Sequence, residues 1–423
     1  MRHLKKIGIS FLWILSCLNL FGQNENLKFN DIYDLLEQKN FFKAKEMYSF
    51  AKNNFPIAYQ KFTEALLDNA FNRLDESQEK ITFLIDKKLS IPDSLQLKLY
   101  EVKMDNSLKL YNYKEAKNSI ITILSDYKKD LTKKETASFE NSLKIWSSLE
   151  NTSPQKVIIK QNTILKMEKD IAGLKNLKVS ANCDTLNFIF DTGANLSTTS
   201  QSVAERLKMK IIPVEIEVET ITGTKILAQL AVCDQLTMGN VDMYHVIFLV
   251  LPDEDLSFPQ INYQIYGILG FPLIEALKEI QITQNGDFII PKERTAFIES
   301  SNMAMNGLTP LIYIDGMHFT FDTGADNTML YHSFYKENLD EITKHYQPEK
   351  ISFGGAGGKA GFDGYVINHT FNILGKDAAL KDIQVLKEKI KEDETVYGNI
   401  GQDLIQQFNT MTLNFDKMFI RFE

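Results

Sequence analysis

Two aspartates in this chain have nearly the same sequence around them and could carry out acid–base chemistry. Asp191 lies in the segment FIFDTGANLSTTS, and Asp322 lies in FTFDTGADNTMLY, 131 residues later. Two carboxyl groups at hydrogen-bond distance cannot both ionise easily, so such a pair shares one proton over a wide pH range. The ionised member can take a proton from water while the protonated member gives one to a carbonyl oxygen. The pair therefore predicts hydrolysis by an activated water molecule.

A second pair of motifs repeats in the same register. The segment YGILGFPLIEAL begins at Tyr266 and YGNIGQDLIQQF begins at Tyr397, again 131 residues apart. Two motifs in the same order and spacing in each copy indicate an internal duplication. The first copy carries the apolar-apolar-Gly element Ile268-Leu269-Gly270. The second carries Asn399-Ile400-Gly401, which departs mildly from that form because Asn399 is polar.

The residues that must position these aspartates have the pattern of β-strands. Beyond Gln155, Gly and Thr become common and alternating apolar runs appear, such as 186–190 and 244–250. These patterns predict strands and hairpins. Each aspartate follows an apolar run, so we expect a sheet to hold it at the end of a strand. Gly193 and Gly324 permit a tight turn and allow the backbone to approach the carboxylate closely.

On these motifs, residues 157–423 resemble the aspartic protease superfamily. The Asp-Thr-Gly-Ala form is similar to that of retroviral-type (retropepsin-like) proteases, and two motifs in one chain are similar to the bilobal layout of pepsin-like enzymes. The resemblance implies a mainly β bilobal fold, with one lobe at 156–295 and another at 296–423. It also implies an aspartic-type endopeptidase whose catalytic dyad is Asp191 and Asp322. One chain would supply both aspartates, so we expect no homodimer requirement, no cofactor and no metal.

The same resemblance assigns supporting roles to the other residues of each motif. Thr192 and Thr323 are expected to hydrogen-bond across the lobe interface. Ala194 and Ala325 stand where pepsin-like enzymes commonly have Ser or Thr. Without that hydroxyl, the ionised carboxylate has one stabilising bond fewer, and the pKa values of the dyad are depressed less. We therefore expect activity at mildly acidic to near-neutral pH.

Two hairpin tips are candidate flaps over a substrate. The first is Thr220–Thr224, which contains Thr222 and Gly223. The second is Phe353–Gly358, whose glycines are Gly354, Gly355, Gly357 and Gly358. The run GGAGG alone is typical of a flexible linker, but its position between the two motifs favours a flap. Such a lid excludes water once substrate binds. Strand-edge pairing recognises an extended peptide mainly through its main chain, so we expect a peptide or unfolded protein as substrate.

Residues 23–155 predict a helical domain. Apolar residues recur there at helical spacing, and three related segments centre on a small residue: Ala44, Ser77 and Ala116. The spacing is near that of a helix–turn–helix unit, so the domain resembles a tetratricopeptide-type array, although the family's fuller pattern is absent. An irregular helical bundle is an equally good interpretation. The domain could dock a protein partner, hold the protein near a site or mask the cleft as an inhibitory prosegment.

The N-terminus has the layout of a secretory signal peptide. Cationic residues precede an apolar run from Ile7 to Phe21, and polar sequence begins at Gln23. We expect residues 1–22 to be removed by cleavage after Gly22, and the protein to be exported to the periplasm or the extracellular space. A lipoprotein anchored through Cys17 is the alternative.

Composition narrows the remaining possibilities. The 423 residues are 44% hydrophobic, which excludes a wholly disordered chain, and the formal net charge of −8 without a basic block argues against nucleic-acid binding. Three cysteines exclude a disulfide scaffold, although Cys183 and Cys233 could either pair or stay free. A protease-like peptide-binding module that does not cut is the alternative function. Two intact Asp-Thr-Gly-Ala motifs favour the enzyme.

Overall fold

The computed structural model describes residues 28–219, 225–296, 300–355, 358–392 and 394–423. An N-terminal helical region over residues 28–149 is followed by a mainly β region with several sheets. The α-helices of the first region are α1 (28–37), α2 (Phe41–Ala51), α3 (Ile57–Ala70), α4 (Leu74–Asp86), α5 (Asp93–Lys109), α6 (Tyr113–Asp126) and α7 (Lys133–Leu149).

Side-chain caps define where several of these helices begin. The Asn40 side chain accepts from the backbone N–H of Lys43 at the start of α2, and Asn112 does the same for Glu115 at the start of α6. Thr132 opens α7 with a capping box, in which its side chain and that of Glu135 satisfy each other's backbone N–H groups. Such caps pair N–H groups that have no partner within the helix.

The three related segments of the sequence form α2, α4 and α6. Their small central residues, Ala44, Ser77 and Ala116, are fully buried. Each helix follows a turn with one residue in the left-handed conformation, namely Lys39, Asn72 and Tyr111. The region therefore contains three helix–turn–helix pairs of similar construction, α1–α2, α3–α4 and α5–α6. Its assignment to the tetratricopeptide type stays a prediction.

The β region falls into two halves. In the first β half (156–290) the strands are β1 (Lys156–Ile159), β2 (Thr163–Lys166), β3 (Glu168–Lys169), β4 (Lys175–Ala181), β5 (Asp184–Phe190), β6 (Ser197–Ser200), β7 (Lys210–Glu219), β8 (Lys225–Met238), β9 (Val241–Leu251), β10 (Ser257–Phe258), β11 (Tyr263–Gln264), β12 (Gly267–Leu269), β13 (Glu279–Thr283) and β14 (Asp287–Ile290). In the second β half (303–422) they are β15 (Met303–Asn306), β16 (Thr309–Ile314), β17 (Met317–Phe321), β18 (Met329–Leu330), β19 (Pro348–Gly355), β20 (Gly358–Ile373), β21 (Lys376–Leu386), β22 (Gly398–Ile400), β23 (Thr410–Asn414) and β24 (Phe419–Phe422). Short helices punctuate both halves at α8 (Gln201–Arg206), α9 (Phe271–Ala276), α10 (His332–Glu337), α11 (Leu339–His345) and α12 (Gln402–Ile405).

The two β halves repeat one pairing scheme. In the first, β5 pairs in parallel with β12, β12 antiparallel with β6, and β6 in parallel with β9. In the second, β17, β22, β18 and β21 pair in the same order and with the same directions. The outer hairpins also correspond, because β7–β8–β9 and β19–β20–β21 are both antiparallel. The internal duplication read from the motifs therefore extends through the backbone architecture.

A five-stranded sheet joins the two halves. Its order is β2-β14-β13-β23-β24, and its central pair is antiparallel, with β13 from the first half beside β23 from the second. Buried Glu279 on β13 accepts a hydrogen bond from Asn414 Nδ2 at 2.6 Å, and it also accepts from the backbone N–H of Thr295 at 2.7 Å. A buried carboxylate is expensive without such partners, so these bonds help to fix the junction.

The helical region packs against both β halves through shared apolar cores. One core joins Phe62 and Leu66 of α3 to Leu311 of β16, and another joins Ile120 and Trp146 to the first half. Each fully buried side chain of this size contributes about 1.5–3 kcal/mol. Polar contacts add to these cores: Tyr111 donates to the carbonyl of Pro272 at 2.9 Å, and Asn72 donates to that of Phe415 at 3.2 Å. The helical region therefore shares its hydrophobic core with the β region and does not form a separate unit.

The expectations of a signal peptide, a lipid anchor and a disulfide can be compared with the structure only in part. Residues 1–22 and Cys17 lie outside the described residues. Cys183 is exposed and Cys233 is buried, and both are free thiols, so the two do not form a disulfide. Over the ranges that the structure describes, none of the helices is both long and apolar enough to cross a membrane.

Candidate active site

Asp191 and Asp322 each stand immediately after a buried strand. Asp191 follows β5, and its backbone N–H donates to the carbonyl of Leu269 on β12 at 3.2 Å. Asp322 follows β17, and its N–H donates to the carbonyl of Ile400 on β22 at 3.0 Å. Both side chains are half-buried. The parallel pairs β5–β12 and β17–β22 thus hold the two aspartates in equivalent positions.

The threonines of the two turns interlock across the junction. Thr192 N–H donates to Thr323 Oγ1 at 3.0 Å, and Thr323 N–H donates to Thr192 Oγ1 at 3.0 Å. Each hydroxyl then donates to a carbonyl of the opposite half, Thr192 to Phe321 at 2.8 Å and Thr323 to Phe190 at 3.0 Å. Both threonines are buried. The hydrogen bonds expected between them are present, and they fix the spacing of the aspartates.

Glycine is required in each turn because the opposite carboxyl group lies against it. A Cβ atom added at Gly324 would lie 2.5 Å from Asp191 Cγ, and one added at Gly193 would lie 2.7 Å from Asp322 Cγ. The glycines also stabilise the carboxylate of their own turn. Gly193 N–H donates to Asp191 Oδ1 at 2.7 Å, and Gly324 N–H donates to Asp322 Oδ1 at 2.8 Å.

Ala194 and Ala325 connect each turn to the second motif. Phe271 N–H donates to the carbonyl of Ala194 at 2.8 Å, and Gln402 N–H donates to that of Ala325 at 2.9 Å. The motif glycines before these donors are also confined. A Cβ added at Gly270 would lie 2.4 Å from the backbone of Leu196, which follows the first turn closely. The two motifs of each copy therefore form one packed unit, which explains their fixed spacing.

The carboxyl groups of Asp191 and Asp322 lie close together, because each one packs against the glycine of the opposite turn. Burial, followed by the Coulomb repulsion of Asp322, raises the pKa of Asp191 from its ordinary value of 3.8 to about 8. Hydrogen bonds from the backbone of its own turn act in the opposite direction but are outweighed. A pair in this state holds one proton and one negative charge over a broad pH range, which suits acid–base chemistry on a bound water molecule.

The structure adds one residue that the sequence pattern did not identify as part of the site. Asn399 Nδ2 donates to Asp322 Oδ2 at 3.1 Å, and Thr320 Oγ1 donates to Asn399 Oδ1 at 2.5 Å. The signal in the sequence was the polar residue in an otherwise apolar-apolar-Gly element. Its meaning could not be read there, because the contact depends on how β17 and β22 pair.

The candidate flap residues are only partly described. Thr222, Gly223 and Gly357 lie outside the described residues. Gly354 and Gly355 end β19 and pair with the first residues of β20, Gly355 directly with Gly358. The strands β19 and β20 on either side of the second tip therefore pair as a hairpin, and the role of the tip as a flap over the aspartates stays a prediction.

Comparison with known proteins gives a match in the first β half, which contains Asp191 but not Asp322. A family model described as aspartyl protease matches residues 177–273, which run from β4 through the first Asp-Thr-Gly-Ala turn to the beginning of α9. A comparison with curated proteins found no match. The matched region supports assignment of the protein as a protease, and therefore as a hydrolase.

Proposed function

We propose that this protein is a bilobal aspartic endopeptidase with Asp191 and Asp322 as its catalytic dyad. The observation that carries the proposal is the pair of interlocked turns, which bring two carboxyl groups from different β halves close together. The repeated pairing scheme supports the two-lobe interpretation, with one aspartate from each lobe. Because both come from one chain, activity does not require a homodimer.

The proposed reaction uses a water molecule held between the two carboxyl groups. The ionised carboxylate takes a proton from this water as its oxygen attacks the peptide carbonyl carbon, and the protonated carboxyl gives its proton to the carbonyl oxygen. In the resulting tetrahedral diol, the carboxyl that took the proton from water gives it to the nitrogen, and the other carboxylate takes a proton from one hydroxyl as the C–N bond breaks. The products are a carboxylic acid and an amine, and the dyad returns to its starting protonation state. The raised pKa of Asp191 supports a shared proton near neutral pH, in keeping with mildly acidic to near-neutral activity.

The substrate in this proposal is an extended peptide, either free or in an unfolded protein. The hairpins β7–β8 and β19–β20 would close over it as flaps, with Gly354, Gly355 and Gly358 giving backbone mobility at the second tip. Strand-edge recognition of this kind reads the main chain first. The signal peptide at residues 1–22 would export the enzyme to the periplasm or beyond, with a lipid anchor on Cys17 as the alternative.

The helical region is proposed to be a tetratricopeptide-like scaffold that stays attached to the enzyme. Its three similar helix pairs support the repeat interpretation, and its apolar cores shared with both β halves support permanent attachment over a removable inhibitory prosegment. Its outward face could still dock a protein partner. Cleaving off residues 23–155 would test this: we expect the remaining chain to lose solubility or its cooperative unfolding, whereas a prosegment would leave a more active enzyme.

Cleavage of an unfolded protein tests the proposed activity directly. We expect wild type to cut between about pH 3 and pH 8, to be inhibited by pepstatin, and to lose about 10²-fold or more of its activity in Asp191→Asn and in Asp322→Asn. Asp326→Asn is the matched control, because it removes an exposed carboxylate four residues after Asp322. If wild type bound the unfolded protein but cut no faster than Asp191→Asn at any pH, the non-catalytic peptide-binding module would be the better description.

A further inference from the structure

The two β halves differ at a matched pair of positions on the strands that hold the two aspartates. On the parallel strands β5 and β12, Ile189 pairs with Ile268. At the same register on β17 and β22, Thr320 pairs with Asn399. Ile268 and Asn399 are both half-buried, so the local space is similar. An apolar pair in one half has therefore been replaced by two hydrogen-bonding side chains in the other.

The hydrogen bonds of this polar pair orient the Asn399 amide between Thr320 and Asp322. Asn399 Nδ2 donates to Asp322 Oδ2, while Asn399 Oδ1 accepts from the Thr320 hydroxyl. The Thr320 hydroxyl also lies 3.2 Å from the Gly398 carbonyl oxygen, but its contact with Asn399 Oδ1 is shorter, at 2.5 Å. Because the amide oxygen is engaged by this hydroxyl, the N–H₂ group is directed toward the carboxylate. Asp322 Oδ1 accepts from Gly324 N–H, so both oxygens of this carboxylate have a donor. The residue corresponding to Asn399 in the first half, Ile268, has no donor to offer Asp191.

Asp191 and Tyr331 are the ionisable groups to consider next to Asp322. Asp191 on the opposite turn and Tyr331, which follows β18, both interact electrostatically with Asp322. The pKa of Tyr331 is raised by burial first, then by Glu394 and by Asp322 itself, so this phenol stays neutral. Neither neighbour supplies a positive charge. Among the hydrogen bonds of the described residues, Asn399 is a side-chain donor to Asp322, whereas the Asp191 carboxyl group accepts from the backbone of Gly193.

We propose that Asn399 is a positioning residue that holds the negative charge of the pair on Asp322 and leaves the proton on Asp191. A hydrogen bond to the charged form of a carboxyl group favours that form. Thr320 acts one step further out by orienting the amide. On the proposed function, Asp322 is then the general base toward water, and Asp191 is the general acid toward the carbonyl oxygen. The charge placement itself does not require that the protein be a protease.

Titration of each carboxyl group alone tests the charge placement without any assay of activity. In Asp191→Asn only Asp322 remains in the pair, and in Asp322→Asn only Asp191 remains. With aspartate labelled at the carboxyl carbon, NMR follows each titration through the carbon-13 shift. We expect the titration midpoint of Asp322 to lie at least about one pH unit below that of Asp191. Asn399→Ile should raise the midpoint of Asp322 and so remove about one pH unit of this difference.

Matched variants separate this role from a general structural effect. The double variant Thr320→Ile/Asn399→Ile copies the apolar pair Ile189/Ile268, so it suits the strand register and should fold. Thr320→Ser keeps the hydroxyl and should leave the titration midpoint of Asp322 unchanged. Thr320→Val removes the hydroxyl and should raise that midpoint. Asn399→Ile placed in Asp322→Asn should leave the titration of Asp191 unchanged. Equal titrations in the two single-carboxyl variants, or a downward shift of Asp322 in Asn399→Ile, would overturn the proposal.

The pH–rate profile then connects the charge placement to the proposed reaction. In otherwise wild-type protein, the apolar double variant should move the acid limb of kcat/KM upward by about one pH unit, and Thr320→Ser should not move it. A dyad that titrates in the expected order in a protein without cleavage activity would contradict the proposed function but support the role of Asn399. Active wild type with an unmoved acid limb would contradict the role of Asn399 alone.

Discussion

The two β halves share their backbone scheme but differ in what surrounds their aspartates. Thr192 and Thr323, which contact the opposite half, make the same hydrogen bonds in reverse. The positions that face only their own half have diverged: the first half has Ile268 where the second has Asn399. Contacts across the junction thus constrain both copies equally, whereas contacts within one copy were free to become specialised.

The sheets differ in a similar way. In the first half, β8 pairs with β7, β9 and β4, so the sheet closes on itself. In the second half, the order β15-β16-β17-β22-β18-β21-β20-β19 stays open, with β19 at its edge. The two halves thus share the pairing of the strands that hold the aspartates and differ in how their outer strands pair.

Substitution of the turn glycines should have the largest effect and should affect both halves alike. In Gly324→Ala the new Cβ would lie 2.5 Å from Asp191 Cγ, and in Gly193→Ala it would lie 2.7 Å from Asp322 Cγ. The opposite carboxyl group must move, and a displacement of about 1 Å costs about 10²-fold in rate. We expect each variant to lose at least that much in kcat/KM on an unfolded protein substrate.

Gly316→Ala is the control for these variants, because it lies in the turn at the far end of β17 from Asp322 and its Cβ would meet no heavy atom within 4 Å. Its φ of +82° makes the alanine strained, so this variant reports the effect of strain without displacement of a carboxyl group. If either Gly193→Ala or Gly324→Ala kept full activity, the two turns would not be equivalent, and the symmetric part of the comparison would be wrong.

Removal of one threonine hydroxyl should destabilise the protein by a similar amount in either half. Thr192→Val leaves the Thr323 N–H and the Phe321 carbonyl without their partner, and Thr323→Val does the same to Thr192 and Phe190. Each buried group left unpaired costs about 1–3 kcal/mol. We expect the free energy of unfolding in urea to fall by about 2–6 kcal/mol in each variant.

Thr343→Val provides the baseline for this measurement, because Thr343 is exposed on α11 and its change should stay within about 0.5 kcal/mol. Losses that differ several-fold between Thr192→Val and Thr323→Val would show that one half depends on the junction more than the other.

The pH dependence of stability should distinguish the two aspartates. The pKa of Asp191 is about 8 in the folded protein against an ordinary 3.8, so the folded state binds more protons between these values. Stability from this group is therefore full below about pH 4 and is lost as the pH rises toward about 8. We expect Asp191→Asn to remove this loss, so that its Tm gains on that of wild type as the pH rises.

Asp322→Asn should gain less over the same range, because it keeps Asp191 in a site where burial is the main cause of the raised pKa. Tm measured by calorimetry at several pH values gives both differences. Equal gains for the two variants would indicate that repulsion between the carboxyl groups, and not burial of Asp191, controls the pH dependence.

The sequence was sufficient for the features that repeat. The duplication, the two aspartates and the turn glycines follow from motifs at a constant offset. The hydrogen bonds between the two threonines were expected from the family resemblance, and the structure contains them. The role of Asn399 did not follow, because it depends on the register of β17 against β22, which are far apart in the chain. Nor did the docking of the helices. Their spacing identifies an apolar face, but it does not say that Leu311 of β16 lies in the same core.

The five-stranded sheet has a consequence for how the chain folds. Its central pair joins Glu279 on β13 to Asn414 on β23, 135 residues apart. Contacts this distant in sequence require a large loop to close before any stabilising pairing forms, and proteins rich in them fold slowly. The helix pairs and the two hairpin systems depend on local contacts and can form earlier. The slow, late step of folding is thus expected to be the one that brings Asp191 and Asp322 together, so a partly folded chain would have no paired carboxyl groups.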